Sequence, residues 1–383
     1  MKVLISCGDA SGDIYAGALV HALRARDPHL QTFGFGGARM AEAGADLIGD
    51  YRGFTVTGLI EAISVLPRSW RMLRRLGDTA RERRPDVFVA IDFPDFNLRL
   101  LPAMHGLGIP IVYYVSPQLW AWRMGRLETI RKYVNRMLVI FPFEQRMYED
   151  AGVPVEFVGH PMVDVVGAPA PRDAYLRSHG LDPARPVLAF LPGSRPNEVR
   201  HMLPTLARAA RRLSDRLPNV QYLVARAPWL DGQLFAPLDE LRAAGLSVAI
   251  VEGDADGVLA SADAVVTASG TATVQTALHQ RPMVVVYRLA PMTYVLARRV
   301  VRVTTYGMVN LIAERPVVRE LIQDAFTPDA VADEAFSLLT DVSRRDAMMR
   351  DLADVKQRLG GSGASDRAAD AVLAAARNHA TRV

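Results

Sequence analysis

An apolar run of β type that breaks into a small-residue loop just before a helical pattern recurs along this chain, and no other feature constrains its fold as much. Val187 to Leu191 breaks at Pro192-Gly193 and delivers Ser194 and Arg195 ahead of a helix with Met202, Leu206, Ala209 and Leu213 on one face. Val3 to Ser6 opens onto Gly8-Asp9-Ala10-Ser11-Gly12-Asp13. Val87 to Ile91 delivers Asp92, with Pro94, Asp95 and Asn97 close behind, and Ala264 to Thr267 opens onto Ala268-Ser269-Gly270-Thr271-Ala272-Thr273. Strands that read as continuous apolar runs and alternate with helices build parallel sheets, so the expected class is α/β. Further strands are expected at Thr32–Phe35, Ile111–Val115, Val139–Phe141, Glu156–Val158, Gln221–Ala225, Ser247–Val251 and Met283–Tyr287.

At 383 residues the chain is long for one core, and the βα alternation starts afresh after Gly167–Arg172, a stretch rich in Pro and Gly. This sets a first βα domain over 1–166, a linker over 167–185, a second βα domain over 186–345 and a helical segment over 346–383 with a Gly360–Gly363 break. Half the residues are hydrophobic and 22% are charged, which is globular composition. A net charge of +4 suits acidic partners such as sugar nucleotides, lipid phosphates or an anionic membrane surface. The basic residues are too dispersed for a nucleic-acid footprint. Cys7 is the single cysteine, which excludes an intrachain disulfide and a Cys-rich metal site. The amino terminus reads as a first strand and its loop rather than a signal peptide, and no apolar run is long enough to span a bilayer. A cytoplasmic protein is expected.

Ligands of open α/β sheets bind at the carboxyl ends of the strands, so the loops are the candidate chemistry. Asp92, straight off its strand, is placed to act as a general base, better than Asp95; a carboxylate there can also merely cap a helix. Gly193, Ser194 and Arg195 at a helix start form a candidate diphosphate seat, since guanidinium matches phosphate oxygens and helix amides favour anions. Ser269 to Thr273 offers a second anion-friendly surface, and Gly8, Ser11, Gly12 and Asp13 form a further candidate substrate loop. Each of these loops also reads as plain βα turn chemistry. Ser116-Pro117-Gln118-Leu119-Trp120-Ala121-Trp122-Arg123 suits contacts to a sugar or lipid headgroup, or a plug at the core edge. His160 reads as a structural hydrogen-bonder, and Asp254-Ala255-Asp256 as a turn despite its metal-site spacing. From Phe54 to Leu76, Leu59, Ile63, Leu66, Trp70 and Leu73 recur at helical spacing beside Arg68, Arg71, Arg74 and Arg75. Pro67 is expected to break this pattern in two. The stretch suits an anionic membrane surface or, more commonly, a helix packed on a core.

Taken in order, GDASGD at 8–13, IDFPDFN at 91–97, YVSPQLWAWR at 114–123, FPFE at 141–144, VGHP at 158–161, LPGSRPNE at 191–198 and ASGTAT at 268–273 resemble the lipid-A-disaccharide synthases. The resemblance covers nearly the whole chain. It implies two Rossmann-like domains facing across a cleft (the GT-B arrangement), an acceptor domain first and a UDP-sugar domain second. It implies transfer of diacylglucosamine from UDP-diacylglucosamine to diacylglucosamine 1-phosphate, with neither metal nor cofactor, at the inner face of an inner membrane; a homodimer stays open. The family's general base falls on Asp92 and its essential arginine on Arg195. Substrate contacts fall on Gly8, Ser11, Gly12, Asp13, Asn97, Ser116, Gln118, Trp120, Gly193, Ser194, Glu198, Ser269, Gly270, Thr271, Ala272, Thr273, Gln275 and Asn310. Gln275 stands where the family usually has Glu. A UDP-N-acetylglucosamine epimerase and a catalytically silent lipid-binding scaffold are the competing readings.

Overall fold

A computed structural model describes residues 1–53, 59–119, 124–167, 170–289 and 305–380. Trp120, Trp122, Arg123 and the 54–58 part of the amphipathic stretch lie outside the described residues, as do the side chains of Leu59 and Ile63. The chain divides into two compact units, Met1–Val165 with Leu359–Val383, and Val166–Arg358.

The first unit holds a seven-stranded sheet in the order β3-β2-β1-β4-β5-β6-β7. Its strands are β1 Lys2–Ser6, β2 Gln31–Gly36, β3 Asp46–Asp50, β4 Val87–Ile91, β5 Ile111–Tyr114, β6 Arg136–Val139 and β7 Val155–Phe157. The second unit holds β8 Val187–Leu191, β9 Gln221–Arg226, β10 Val248–Glu252, β11 Ala264–Ala268, β12 Met283–Tyr287 and β13 Arg319–Ile322, ordered β10-β9-β8-β11-β12-β13. Every pairing in both sheets is parallel. In each sheet the chain winds outward from its first strand, then returns to the other side of it. The strand order therefore reverses between β1 and β4 and between β8 and β11, the positions where open α/β sheets bind ligands. Both units are Rossmann-like, as expected.

The central strands were legible because they are buried on both faces: every residue of β4 and β8 is buried. The edge strands β3 and β13 went unread. Each has one hydrogen-bonded neighbour and carries two charged residues, with only Ile48 and Leu321 buried. β6 starts earlier than expected and releases Phe141 to cap the helix Pro142–Asp150. Pro67 does not split its segment. One helix runs Leu59–Arg83 through it, because Pro67 lies on the exposed side while Leu73, Leu76 and Ala80 anchor the helix in the core.

The carboxy-terminal stretch is not one separate segment. The helix Val342–Arg358 packs in the second unit, whereas Ala364–Ala380 returns to the first and lies against Ala10–Arg26. There Arg26 pairs with Asp366 at 2.6 Å and Asp370 at 2.5 Å. Nor is 167–185 only linker: Arg172–Ser178 is a helix of the second unit, and Arg172 bonds Asp263 at 3.0 Å and the Pro183 carbonyl at 2.8 Å.

Candidate active site

The loops that follow β1, β4, β8 and β11, all singled out in the sequence, are the ones at the two strand-order reversals. In the first unit the tips of β1 and β4 lock together. Gly8 is needed there because the Phe93 ring lies over it; a Cβ would come 2.1 Å from Phe93 Cδ1. Asp92 and Phe93 both adopt left-handed backbone, with φ of 43° and 49°. Val115, at the tip of the adjacent β5, does too with φ of 65°, a conformation that β-branched residues avoid. Backbone strain of this kind clusters at functional sites. Asp92 is partly exposed at that edge. Asp95 pairs with Arg126, which disfavours it as a base.

Several polar residues read as substrate contacts point inward instead. Asp13 is buried and accepts from the N–H groups of Gly37 (2.8 Å), Arg39 (3.0 Å) and Met40 (3.1 Å), fixing the second βα loop. Burial raises its carboxyl pKa, partly offset by those three donors. Gly12 donates to the Asp9 side chain at 2.6 Å, so Asp9 caps the helix Ala10–Arg26. Asn97 is fully buried, with its amide on main-chain carbonyls. Ser116 is buried, donating to the Pro117 carbonyl and bonding the Tyr148 hydroxyl at 2.8 Å. Ser11 and Gln118 keep solvent access.

His160 is a core histidine, as its isolated setting suggested. It is buried between Tyr15, whose ring meets it edge-on at 5.9 Å, and Phe141 at 5.3 Å, and its Nδ1 accepts from the Met162 N–H at 3.1 Å. Burial lowers its pKa to about 3. The unfolded chain takes up this proton near pH 6.5 and the folded chain only near 3. The contribution is therefore intact above about 6.5 and drains away as the pH falls towards 3, by up to about 1.4 kcal/mol per pH unit. His160→Asn, which can still accept the Met162 N–H, is expected to flatten this acid slope. Urea unfolding at pH 7.5 and 4.5 measures it.

In the second unit, Gly193 carries φ of 112°, and a Cβ there would meet Glu198 Oε2 at 2.6 Å. The Glu198 carboxylate takes the N–H groups of Ser194 (3.2 Å) and Arg195 (3.3 Å), the Arg195 guanidinium (3.2 Å) and the Tyr287 hydroxyl (3.4 Å). The loop amides expected to face a diphosphate thus face Glu198. Its outward cation is the guanidinium of Arg195, whose side chain is 55% exposed. Trp229, which the sequence did not single out, stands 58% exposed beside the loop and donates its indole N–H to the Ser194 carbonyl at 2.8 Å.

At the tip of β11 the helix Thr271–Leu278 starts from Gly270, which has no side chain to cap it. The Thr273 N–H donates to the Gly270 carbonyl at 3.0 Å, which leaves the amides of Thr271 and Ala272 as the ones that favour an anion. Two of the expected hydroxyls turn away: Ser269 donates to the Tyr306 carbonyl at 2.8 Å, and buried Thr273 to the Gly270 carbonyl at 2.7 Å. Thr271 and Ala272 remain partly exposed. Gln275 donates to Asp256 at 2.8 Å, and His279 Nε2 sits 2.8 Å from the same oxygen. Burial raises the Asp256 pKa, but these two hydrogen bonds outweigh it and leave it lowered. Asp254 caps the helix Ala255–Ser261, so the Asp-Ala-Asp stretch is helix-start chemistry. Asn310 holds the Val317 and Val318 N–H groups, the Val318 carbonyl and Glu320, all within 2.9 Å. It shapes its loop rather than facing a nucleotide.

The first unit offers a carboxylate at its sheet edge, a group suited to acid–base chemistry, and the second offers a guanidinium and a helix amino terminus at its own, groups suited to anions. Solved structures share the fold. The UDP-GlcNAc 2-epimerase of Neisseria meningitidis, bound to UDP-GlcNAc, matches with a TM-score of 0.69 at 12% identity over 97% of this chain and 100% of that one. The calicheamicin glycosyltransferase matches with a TM-score of 0.59 at 17% identity over 98% of each chain. Sequence is more selective. The lipid-A-disaccharide synthase of Myxococcus xanthus strain DK1622 is 44% identical over 372 residues, 97% of each chain. The family model described as lipid-A-disaccharide synthetase matches residues 3–375. With that match running through both units and every loop described above, the chain belongs to the lipid-A-disaccharide synthetase family of glycosyltransferases.

Proposed function

We propose that this chain moves 2,3-diacylglucosamine from UDP to 2,3-diacylglucosamine 1-phosphate with inversion, giving a β-1,6-linked disaccharide and UDP. The observation that carries the reading is the pairing of family membership with a carboxylate and a guanidinium at the two strand-order reversals. In this mechanism the acceptor 6-hydroxyl attacks the anomeric carbon while Asp92 takes its proton. Arg195 and the amides of Thr271 and Ala272 stabilise the charge that builds on the departing diphosphate. UDP release that requires the acceptor tests the proposal. Release at the same rate without acceptor, or conversion of the donor to an epimer, contradicts it.

Both substrates are acylated, and the helix Leu59–Arg83 offers a surface for them. One face of the helix packs on the core and another is exposed. Leu73 and Leu76 are in the core, whereas Leu66 and Trp70 stand 45% and 52% exposed among exposed Arg68, Arg71, Arg74 and Arg75. Exposed apolar side chains ringed by arginine fit an anionic lipid surface. Burying a large apolar side chain is worth roughly 1.5–3 kcal/mol, so Leu66→Glu with Trp70→Glu should weaken binding to phosphatidylglycerol vesicles at least about tenfold. Cosedimentation measures this, and undiminished binding refutes the surface.

A further inference from the structure

We infer that Tyr113 is a positioning residue for the reaction: its hydroxyl, with the Asn97 amide, grips the main-chain carbonyl of Asp92 and thereby sets the direction of the Asp92 carboxylate. The inference rests on the reading of Asp92 as the proton acceptor.

The strand β4 is regular up to the Asp92 nitrogen, whose N–H still donates to the Tyr114 carbonyl at 3.1 Å. The departure begins at Asp92 itself, which takes a left-handed conformation followed by a second one at Phe93. Two such residues in succession, neither a glycine, persist only where their surroundings over-determine them. Downstream the constraint is plain. The Phe93 ring lies over Gly8, 5.2 Å from Phe96 and 6.5 Å from Phe35, and the Phe93 carbonyl accepts from the Asn97 N–H at 2.9 Å. Upstream the β ladder holds the nitrogen. Between these anchors lies one peptide plane, and its carbonyl receives two donors: Asn97 Nδ2 at 2.8 Å and the Tyr113 hydroxyl at 2.8 Å. A carbonyl has two lone pairs, so the plane has no rotation left that keeps both bonds.

Both donors are themselves fixed. Ser6 donates its hydroxyl to Asn97 Oδ1 at 2.7 Å, which turns Nδ2 towards the carbonyls of Ser6, Ile91 and Asp92. Tyr113 pairs with Ala90 in the β4–β5 register, and its ring is fully buried in the core of the first unit. Burial raises its phenol pKa well above the ordinary value, so it remains a donor. A side chain this deep touches no substrate; what it reaches is the peptide that carries the base. Loss of the hydroxyl lets φ of Asp92 relax from its left-handed value, and that rotation about the N–Cα bond carries the carbonyl and the side chain together. Displacing a catalytic group by about 1 Å costs on the order of a hundredfold.

The test is kcat for the parent, Tyr113→Phe, Asp92→Asn and the double variant, with disaccharide quantified by mass spectrometry over hours so that residual rates are measurable. Phenylalanine keeps the buried ring and leaves no donor stranded. The expected result is a kcat at least about tenfold down in Tyr113→Phe with KM within about twofold, and a further loss under about twofold when the same change is made in Asp92→Asn. Unchanged kcat in Tyr113→Phe overturns the inference. So does an equal loss in both backgrounds, which is what unfolding or general repacking produces. A near-parental rate in Asp92→Asn refutes the base reading itself and takes the inference with it, through a different arm of the experiment.

Discussion

Asp92→Asn is expected to lower kcat by about 10²–10⁴-fold, the range that a general base contributes, while UDP binds as in the parent. Asparagine matches the carboxylate in shape and can still hydrogen-bond, but it cannot take a proton from the attacking hydroxyl. The backbone grip on residue 92 acts through its own carbonyl and survives the change, so the loss reports on the carboxylate rather than on the loop. The nearby Asp95 is paired with Arg126 and does not replace it. UDP affinity belongs to the loops of the second unit in this account, and isothermal titration with UDP checks that half. A variant that turns over near the parental rate removes Asp92 from the mechanism.

Arg195→Ala is expected to cost about 10²–10³ in kcat, the loss seen when one preorganised donor to a developing anion is removed. The effect has two parts that can be separated. One is the missing guanidinium at the diphosphate. The other is Glu198, which sits 3.2 Å from that guanidinium and would lose this partner. Adding Glu198→Gln to Arg195→Ala removes the second part only. A large recovery in that double variant would assign the defect to carboxylate repulsion, and a small one to loss of the guanidinium. Steady-state kinetics with both substrates decides, and an unchanged rate in Arg195→Ala rules out the diphosphate role.

The sequence exposed the strand tips better than it exposed the directions of the side chains on them. β4, β8 and β12 were readable to the residue because double burial makes a strand uniformly apolar. The loops that follow β1, β4, β8 and β11 were readable because glycine, proline and small polar residues mark each break. Asp13, Asn97, Ser116, Thr273 and Asn310 stand in or beside such loops, and residue type does not tell whether a polar side chain faces a ligand or the main chain behind it. In each the side chain turned to the main chain, since a buried carbonyl or N–H left without a partner is costly. Tyr113 was hidden for the opposite reason: within an apolar strand a tyrosine reads as core, and only its hydroxyl reaches the site. The fate of Gln275 was also out of reach, because its partner Asp256 lies 19 positions away on another helix.

The central claim is a transfer between two sugars, and the most direct measurement is mass spectrometry with proton NMR of the products from UDP-diacylglucosamine and diacylglucosamine 1-phosphate. The account predicts a phosphorylated tetraacyl disaccharide joined through a β-anomeric linkage, with one UDP released for each linkage made. An epimerised nucleotide sugar without disaccharide, or a disaccharide of α configuration, would contradict it.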